Sequence, residues 1–423
     1  MKKQDEQIVW KKRLGSKFET FAVELEEFTK TGRLPESCDQ DMKYCLELQR
    51  ERQKEKGLIM KYEFVPRGHF AEGGGIGRGW EDVRYRTRME YRTCRWERML
   101  YKDKKKVFQS KENSLFYQMI TDTQDSHLVE EDNYTCPNCS AISKVKELIN
   151  GCSYCGTFFK MEDLFPKTTN FFMIKDQGFT EKEINKDIFK TIFPSMLIWF
   201  VICSYIYNTQ NDNGILLNMI SGLFAGVIGG GIMGYFIWAI KKICSLFAEA
   251  GKSISMVASA SGSAKWFENQ MKKYSPEFSY EYFTSKVISM LKMMIYAKDP
   301  RELPFYTGEA IERLFTDIVD SYYRGALALK KFTVQEDYCY VTVDAFMEDL
   351  YDGNKIRKKR DVFRLVLRKN ITIPIQMNFS ITKINCKSCG ASFDATKQRT
   401  CPNCNSKYEI ADDDWQIMQI TKR

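Results

Sequence analysis

Two long stretches without charged residues interrupt the mixed hydrophobic and polar pattern of the chain. Residues 192–207 form the first, residues 215–240 form the second, and a polar segment separates them. A helix needs about 20 apolar residues to cross a bilayer. The second stretch meets this length, and the first approaches it if it begins near Thr191. We therefore predict a transmembrane helical hairpin over residues 191–242. A buried hairpin in a soluble protein is the alternative.

Glycines recur every four residues in the second stretch, so they lie along one face of the predicted helix. Small residues at this spacing let another helix approach closely. The partner could be the first stretch or a second copy of the protein, which would make a homo-oligomer. The helix-packing residues are Gly222, Gly226, Gly230 and Gly234.

The spacing of apolar residues changes within the region before the hairpin. Residues 18–28 have the apolar spacing of a helix, whereas arginines alternate with Tyr and Met from Arg84 onward, which predicts strands with arginine on one face. Residues 78–111 hold twelve Lys/Arg against five Asp/Glu, and this net +7 is most of the whole chain's +9. Residues 69–80 are rich in glycine but lack the ending of a phosphate loop, so we expect a flexible loop there.

This basic face could bind anionic lipid headgroups or nucleic acid, or it could be an ordinary solvated strand surface. The candidate residues for lipid or polyanion binding are Arg84, Arg86, Arg88, Arg92, Lys104, Lys105 and Lys106.

The region after the hairpin predicts helices and then strands. Residues 248–264, rich in Ser, Ala and Gly, read as a linker or a short juxtamembrane helix. Helical spacing follows at 283–294, with Ser279 as a cap, and again at 311–318. Segments 337–351, 362–370 and 415–422 read as strands.

Composition narrows the range of functions. The chain of 423 residues is long enough for two or three domains, and 43% hydrophobic residues argue against a disordered polypeptide. Two histidines make a His-centred catalytic site improbable. Carboxylates cluster at Asp344, Glu348, Asp349 and Asp352, but no nucleophile and base accompany them, so we expect no enzymatic activity.

Eight of the fourteen cysteines form four Cys-x-x-Cys pairs. Two such pairs at a short interval can aim four sulfur atoms at one metal ion. Gly156 and Gly390 follow a pair directly, where glycine tolerates the left-handed backbone of a metal knuckle. We predict two zinc ions, each held by four thiolates, and keep disulfides, rubredoxin-like iron and redox dithiols as alternatives. The predicted ligands are Cys136, Cys139, Cys152 and Cys155 in the first site and Cys386, Cys389, Cys401 and Cys404 in the second.

Lysines flank the hairpin on both outer sides, and the connecting loop has none. Positive charge favours the cytoplasmic side, and a reducing compartment keeps thiols free for metal. We therefore expect a multi-pass protein of the cell (inner or plasma) membrane with both termini in the cytoplasm.

The order of features after residue 274 resembles the TIM forty-four-like domain, the C-terminal domain of the membrane anchor of the mitochondrial import motor, which also occurs in bacterial membrane proteins. A Ser-Pro-Glu-Phe start, a Phe-x-x-x-Val helix, an Asp-Pro break, a meander and a last strand led by Trp415 carry the resemblance. The second cysteine ribbon precedes that strand, as in some bacterial members. The resemblance implies a cystatin-like sheet with helices on its concave side, binding of lipid surface or protein clients near the membrane, and no catalytic residues. The first ribbon and the internal hairpin depart from the mitochondrial pattern, so a role in an import motor does not follow.

We thus predict a multidomain α+β membrane protein. Its parts are a basic region (1–130), a zinc ribbon (131–170), the hairpin (191–242), a linker (248–273) and a TIM forty-four-like domain (274–423) with the second ribbon inserted at 384–408. The predicted function is a membrane-anchored scaffold or adaptor that binds proteins or anionic lipid, in protein transport or envelope organisation. A membrane-tethered nucleic-acid-binding protein is the alternative.

Overall fold

The computed structural model describes residues 20–66, 74–81, 85–123, 133–136, 139–155, 166–175, 181–210, 214–276, 278–309, 311, 314–372, 384–386, 388–393, 400–406 and 414–423. The chain divides into two compact units, each treated separately below. Unit 1 combines residues 1–176 with 259–423, and unit 2 contains residues 177–258. The protein is mixed α+β, with two apolar helices and two four-cysteine clusters.

The N-terminal half of unit 1 places two helices before an antiparallel sheet. Described residues 20–31 form helix α1, and α2 spans Gln40–Glu55. The sheet order is β1-β3-β4-β7, and β2 pairs with β3 beside β1. The strands are β1 (Leu58–Pro66), β2 (Gly74–Glu81), β3 (Tyr85–Lys102), β4 (Lys105–Thr123) and β7 (Lys167–Lys175), and the short strands β5 (Asn133–Thr135) and β6 (Ile142–Lys144) belong to the first ribbon.

The C-terminal half of unit 1 repeats this plan. Helix α5 (Tyr280–Tyr296) precedes a four-stranded antiparallel sheet of order β13-β10-β9-β8. The strands are β8 (Ile318–Gln335), β9 (Tyr338–Tyr351), β10 (Arg357–Asn370) and β13 (Gln416–Lys422), and β11 (Ile384–Asn385) and β12 (Ser392–Phe393) belong to the second ribbon.

Both halves therefore contain a helix, a meander of three strand positions, a four-cysteine ribbon and a last strand that pairs with the third strand position. In the N-terminal half β1 and β2 pair with successive parts of β3 and together fill the first position, and α1 is an additional helix. The last strand begins twelve residues after the last cysteine in each half, from Cys155 to Lys167 and from Cys404 to Gln416. The chain thus contains an internal structural repeat, and the apolar hairpin lies between the two copies in sequence.

Side-chain caps fix the start of the equivalent helices α2 and α5. The Asp39 carboxylate accepts a hydrogen bond from the Met42 amide, and the Ser279 hydroxyl accepts one from the Tyr282 amide, which confirms the predicted cap. Such a cap contributes about 1 kcal/mol to a helix.

The halves pack against each other through shared apolar clusters. Trp96 of β3 contacts Tyr322 of β8 edge-on, with ring centroids 4.8 Å apart, and Phe172 of β7 contacts Tyr323 at 5.7 Å. Gly325 has a φ of +78°, and an added Cβ there would lie 2.7 Å from the Phe172 ring, so this close approach requires glycine.

Unit 2 is a helical hairpin. Helix α3 spans Glu181–Gln210, and α4 spans Ile215–Met271, with its residues up to Ala258 in this unit. Within α3 and α4, residues 187–210 and 215–241 are long and apolar enough to cross a membrane. This supports the predicted hairpin by length and composition.

Three local predictions were wrong or too narrow. Residues 74–80 of the predicted glycine-rich loop lie in β2, because pairing with β3 overrides their weak strand propensity. Residues 314–317 form a turn and Ile318 begins β8, so the helix predicted at 311–318 does not form over its described residues. The segment 248–264 is helical, as part of α4.

Candidate functional site

The first four-cysteine cluster lies where two chain turns meet. The β5–β6 hairpin carries Cys136 and Cys139, and a 3-10 turn at Val145–Asn150 leads to Cys152 and Cys155. The Cys136–Cys155 and Cys139–Cys152 sulfur atoms are each 3.7 Å apart. All four sulfur atoms lie within 4.8 Å of one another.

The second cluster has the same geometry. The Cys386–Cys404 sulfur atoms are 3.5 Å apart and the Cys389–Cys401 atoms 3.7 Å apart. A zinc–sulfur bond of about 2.3 Å places tetrahedral thiolates about 3.8 Å apart. The distances therefore fit a tetrahedral metal ion, and they are too long for disulfide bonds. Two four-cysteine groups that could hold metal ions are thus present, as predicted.

Backbone hydrogen bonds shape the knuckles in both ribbons. The Ser140 and Gly390 amides donate to the carbonyls of Cys136 and Cys386, and both residues have positive φ, 58° and 72°. Asn405 adopts the same conformation after Cys404. The left-handed backbone predicted at Gly390 is confirmed, whereas Gly156 lies outside the described residues.

Electrostatics favour a cation in each cluster. A backbone hydrogen bond at Ala141 lowers the pKa of Cys139, but desolvation and the neighbouring thiols raise it, and the net result is a pKa of about 12. The corresponding causes oppose one another at Cys389, and the pKa of Cys389 also rises to about 12. In contrast, hydrogen bonds with Ser406 lower the pKa of Cys404 to about 6. Four adjacent thiols cannot all ionise without a compensating positive charge, so metal entry would release protons.

The two ribbons differ in what supports them. Val145 and Leu148 are buried with Cys136 and Cys152 in a small cluster of their own. In the second ribbon, Cys386, Phe393 and Cys401 belong to the large apolar cluster around α5. The second four-cysteine cluster is therefore continuous with the core of the C-terminal half.

The glycine face of the hairpin packs against the first helix. An added Cβ at Gly226 would lie 2.6 Å from Phe200 Cα, and one at Gly230 would lie 2.5 Å from Met196 Cα. Gly222 meets Ser204 and Gly234 meets Ile192 in the same register. The first stretch is thus the partner of this face within one chain.

Apolar side chains cover the outside of the hairpin. Leu197 and Val201 of α3 and Phe224 and Ile228 of α4 are each more than half exposed. The apolar windows of the two helices are only 6% and 22% buried. The core hairpin of a soluble protein would bury most of these side chains.

The structure separates the predicted basic face into two parts. Arg88 is only 7% exposed, and Arg86 and Arg92 are half-buried. Arg84 lies outside the described residues. Lys104, Lys105 and Lys106 are exposed at the turn between β3 and β4 and do not share the arginine surface.

The four clustered carboxylates have separate partners. Asp344 accepts two hydrogen bonds from Arg364, and Glu348 pairs with Arg98 at 2.7 Å. Ser321 donates to Asp349 at 2.5 Å, and Lys56 lies 3.7 Å from Asp352.

A buried ionic cluster joins the two halves of unit 1. Arg98 of β3 is 1% exposed and lies 3.3 Å from Asp320 and 2.7 Å from Glu348. Its guanidinium also stacks between the rings of Trp96 and Tyr322, at 4.2 and 4.7 Å. Although burial by itself lowers it, the surrounding negative groups raise the pKa of Arg98 above its usual range. Glu112 of β4 also lies 3.8 Å from the guanidinium, and Lys358 lies 3.4 Å from Glu348. Sequence reasoning missed this cluster, because Asp320 and Glu348 are more than 200 residues from Arg98.

Comparison of the chain with protein-family models, curated proteins and solved structures finds no match.

Proposed function

We propose that the protein is a membrane-anchored scaffold or adaptor. Its hairpin inserts into the cell membrane, and two zinc ribbons stabilise a cytoplasmic body that binds proteins or anionic lipid surface. The main support for the proposal is the exposed apolar surface of the hairpin. Its packed glycine face and lipid-facing outer side chains are typical of a transmembrane pair.

Flanking charges support the topology. Lys182, Lys186 and Lys190 precede the first span, and Lys241 and Lys242 follow the second. Positive-inside bias therefore favours a cytoplasmic location for both flanks and hence for unit 1.

The closed, four-thiolate donor set supports zinc in both ribbons. Such sites lack an open position for substrate and contribute folding energy instead. A structural role also agrees with the contacts between the second ribbon and the core of the C-terminal half.

A helix followed by an antiparallel meander supports a TIM forty-four-like C-terminal half, since this order is the one that the resemblance implies. The N-terminal half has the same order, so it would be a second copy of the domain with its own ribbon. A paired-domain body of this kind suits a binding function in protein transport or envelope organisation.

The exposed lysine turn supports the alternative of a nucleic-acid tether as well as lipid binding. Lys102 and residues 104–106 are exposed together at the β3–β4 turn. Binding of the intact protein to phosphatidylglycerol vesicles or to single-stranded RNA, with and without charge reversal of this turn, discriminates the two.

The proposal is tested by comparing the full chain with a variant in which a glycine–serine linker replaces residues 177–258. We expect the full chain to stay in the membrane pellet at alkaline pH, and the variant to be soluble. Both should carry about two zinc ions per chain by mass spectrometry of metals. A full chain extracted at alkaline pH would contradict the anchor, and disulfides without metal would contradict the ribbons.

A further inference from the structure

A groove runs along the first residues of β1, between the end of α1 and one side of α2. Phe28, Leu58 and Met60 form its apolar floor, and Lys30, Arg50 and Lys54 form its rim. β1 lies at the edge of its sheet, with β3 as its partner in the described part of the chain. An edge strand beside a groove is a surface to which an extended peptide can add.

The backbone of β1 is partly capped by α1. The Tyr62 amide donates to the Thr29 hydroxyl at 3.1 Å, and the Phe64 amide donates to the Glu26 carboxylate. These amides therefore point away from β3. Because backbone groups alternate along a strand, the Met60 amide and carbonyl point the same way.

Side chains of α1 do not extend the capping to Met60. The helix ends at residue 31, and Gly32 turns the chain away. Among the described residues no side chain accepts a hydrogen bond from the Met60 amide, and Met60 lines the groove. In the described part of the chain, strand pairing at this position is therefore open to a partner.

The charge around the groove is positive. Among the described residues that line it, three are cations and none is a carboxylate. Arg50 is held in place because it donates to the carbonyl of Thr31 at 3.0 Å. Lys30 and Lys54 are exposed, and Lys30 lies 3.4 Å from Glu26 on the preceding turn of α1. Leu58 pairs with Lys102, which leads into the exposed turn at 104–106, so positive charge continues past the end of the groove.

We infer that this groove binds an acidic, extended peptide segment of a partner protein. The segment pairs with the backbone of β1 at Met60 and sets alternate apolar side chains on the floor. Its carboxylates lie beside Lys30 and Lys54. This names a partner class for the proposed scaffold and rests on its protein-binding role, not on membrane insertion. A lipid headgroup would use the charges but has no backbone to pair with Met60.

The test uses the full chain in detergent and fluorescein-labelled octapeptides, read by fluorescence anisotropy. The probe alternates glutamate with valine, a second peptide replaces glutamate with lysine, and a third carries N-methyl groups on the edge that would face β1. We expect saturable binding of the acidic probe only, weakened about fivefold by N-methylation, since this removes the hydrogen bond to the Met60 carbonyl, worth about 1 kcal/mol.

Charge reversal locates the site. The variant K30E/K54E should bind the acidic probe about tenfold more weakly, because each exposed charge contact contributes up to about 1 kcal/mol. The matched variant K355E/K359E, at exposed positions of the C-terminal half, should stay within about twofold of the parent, since distant surface charges are screened at 0.15 M salt.

Equal binding of the N-methylated peptide, or equal losses in both charge variants, would overturn the inference in favour of nonspecific attraction. Absent peptide binding together with a K30E/K54E-sensitive affinity for phosphatidylglycerol vesicles would replace the peptide by a lipid headgroup. Alkaline extraction reports membrane anchoring independently, so loss of peptide binding by an anchored protein rejects this inference alone.

Discussion

The two halves of unit 1 share an order of elements but fill their interiors differently. In the C-terminal half, α5 buries Val287, Leu291 and Met294, and the facing strands contribute residues such as Val343 and Leu365. In the N-terminal half, the equivalent helix α2 buries Met42, Cys45 and Leu46, and towards its end it also buries Gln49, Arg52 and Gln53. Helix α5 also buries a charged side chain, Lys286, but the partner of Lys286 is Asp414 in the same half.

The polar groups of the N-terminal half find partners in the other half. Gln49 donates to Asp320 at 2.8 Å, and Arg52 donates to the carbonyls of Ala297 and Phe315. A buried polar group without a partner costs about 1–3 kcal/mol, and more if it is charged. The same plan can therefore give one helix whose buried cation has its partner in its own half, and one helix whose buried polar groups depend on the other half.

Separating the halves should produce the largest effect. A fragment of residues 259–423 should unfold cooperatively when zinc is present, because its own residues supply most of the apolar cluster around α5. A fragment of residues 1–176 should lack fixed tertiary structure, since the carboxylates opposite Arg98 and the acceptors of Arg52 are missing. Near-ultraviolet circular dichroism of each fragment reports this difference.

Mixing the two fragments is the control for that experiment. The C-terminal fragment should restore the near-ultraviolet signal of the N-terminal one, as the contacts between halves form again. An N-terminal fragment that folds alone, with the stability of the C-terminal fragment, would contradict the dependence of the N-terminal half on the C-terminal half.

A smaller effect is expected from the ionic cluster. Arg98→Met should lower the free energy of unfolding by about 3–5 kcal/mol, because it leaves Asp320 buried without a cation and leaves Glu348 with Lys358 alone. The matched change Arg364→Met removes a pair within the C-terminal half and should cost about 1 kcal/mol or less, because Arg364 is 24% exposed and Lys330 remains 3.9 Å from Asp344. Urea unfolding of the soluble variant that lacks residues 177–258 measures both. Equal losses of unfolding free energy in the two variants would mean that an ion pair between the halves stabilises the protein no more than an ion pair within one half.

Local patterns predicted much of this architecture. Period two indicated β3, β9, β10 and β13, and cysteine spacing indicated both four-thiol clusters. These features depend on residues close in sequence. The repeat of the two halves is also visible as an equal spacing, twelve residues from the last cysteine to the last strand in each half. This spacing can be recognised only when both last strands are known.

Long-range features could not be predicted in the same way. A charge-rich strand favours an exposed face, yet Arg88 and Arg98 are buried, and Arg98 finds its carboxylates more than 200 residues away. No local pattern contains that pairing. The groove beside β1 likewise depends on how α1, α2 and the sheet meet in space.

The smallest expected effect concerns a buried acid of the C-terminal half. Asp349 is fully buried and beside Asp361, and burial and this neighbour raise its pKa well above its ordinary value of 3.8, although a hydrogen bond from Ser321 opposes the shift. The folded state therefore holds a proton that the unfolded state releases. The stability from Asp349 is complete below pH 3.8 and is lost as the pH rises through the folded pKa.

Asp349→Asn removes this proton linkage and keeps a side-chain oxygen for Ser321. We expect the variant to be less sensitive to rising pH than the parent, by about 1.4 kcal/mol for each unit of the pKa shift. Urea unfolding between pH 4 and 9 measures the difference, with Asp352→Asn as the control because Asp352 pairs with Lys56 nearer the surface. If the two variants and the parent follow the same pH dependence, Asp349 is ionised in the folded protein, and the C-terminal half tolerates buried charge as the N-terminal half does.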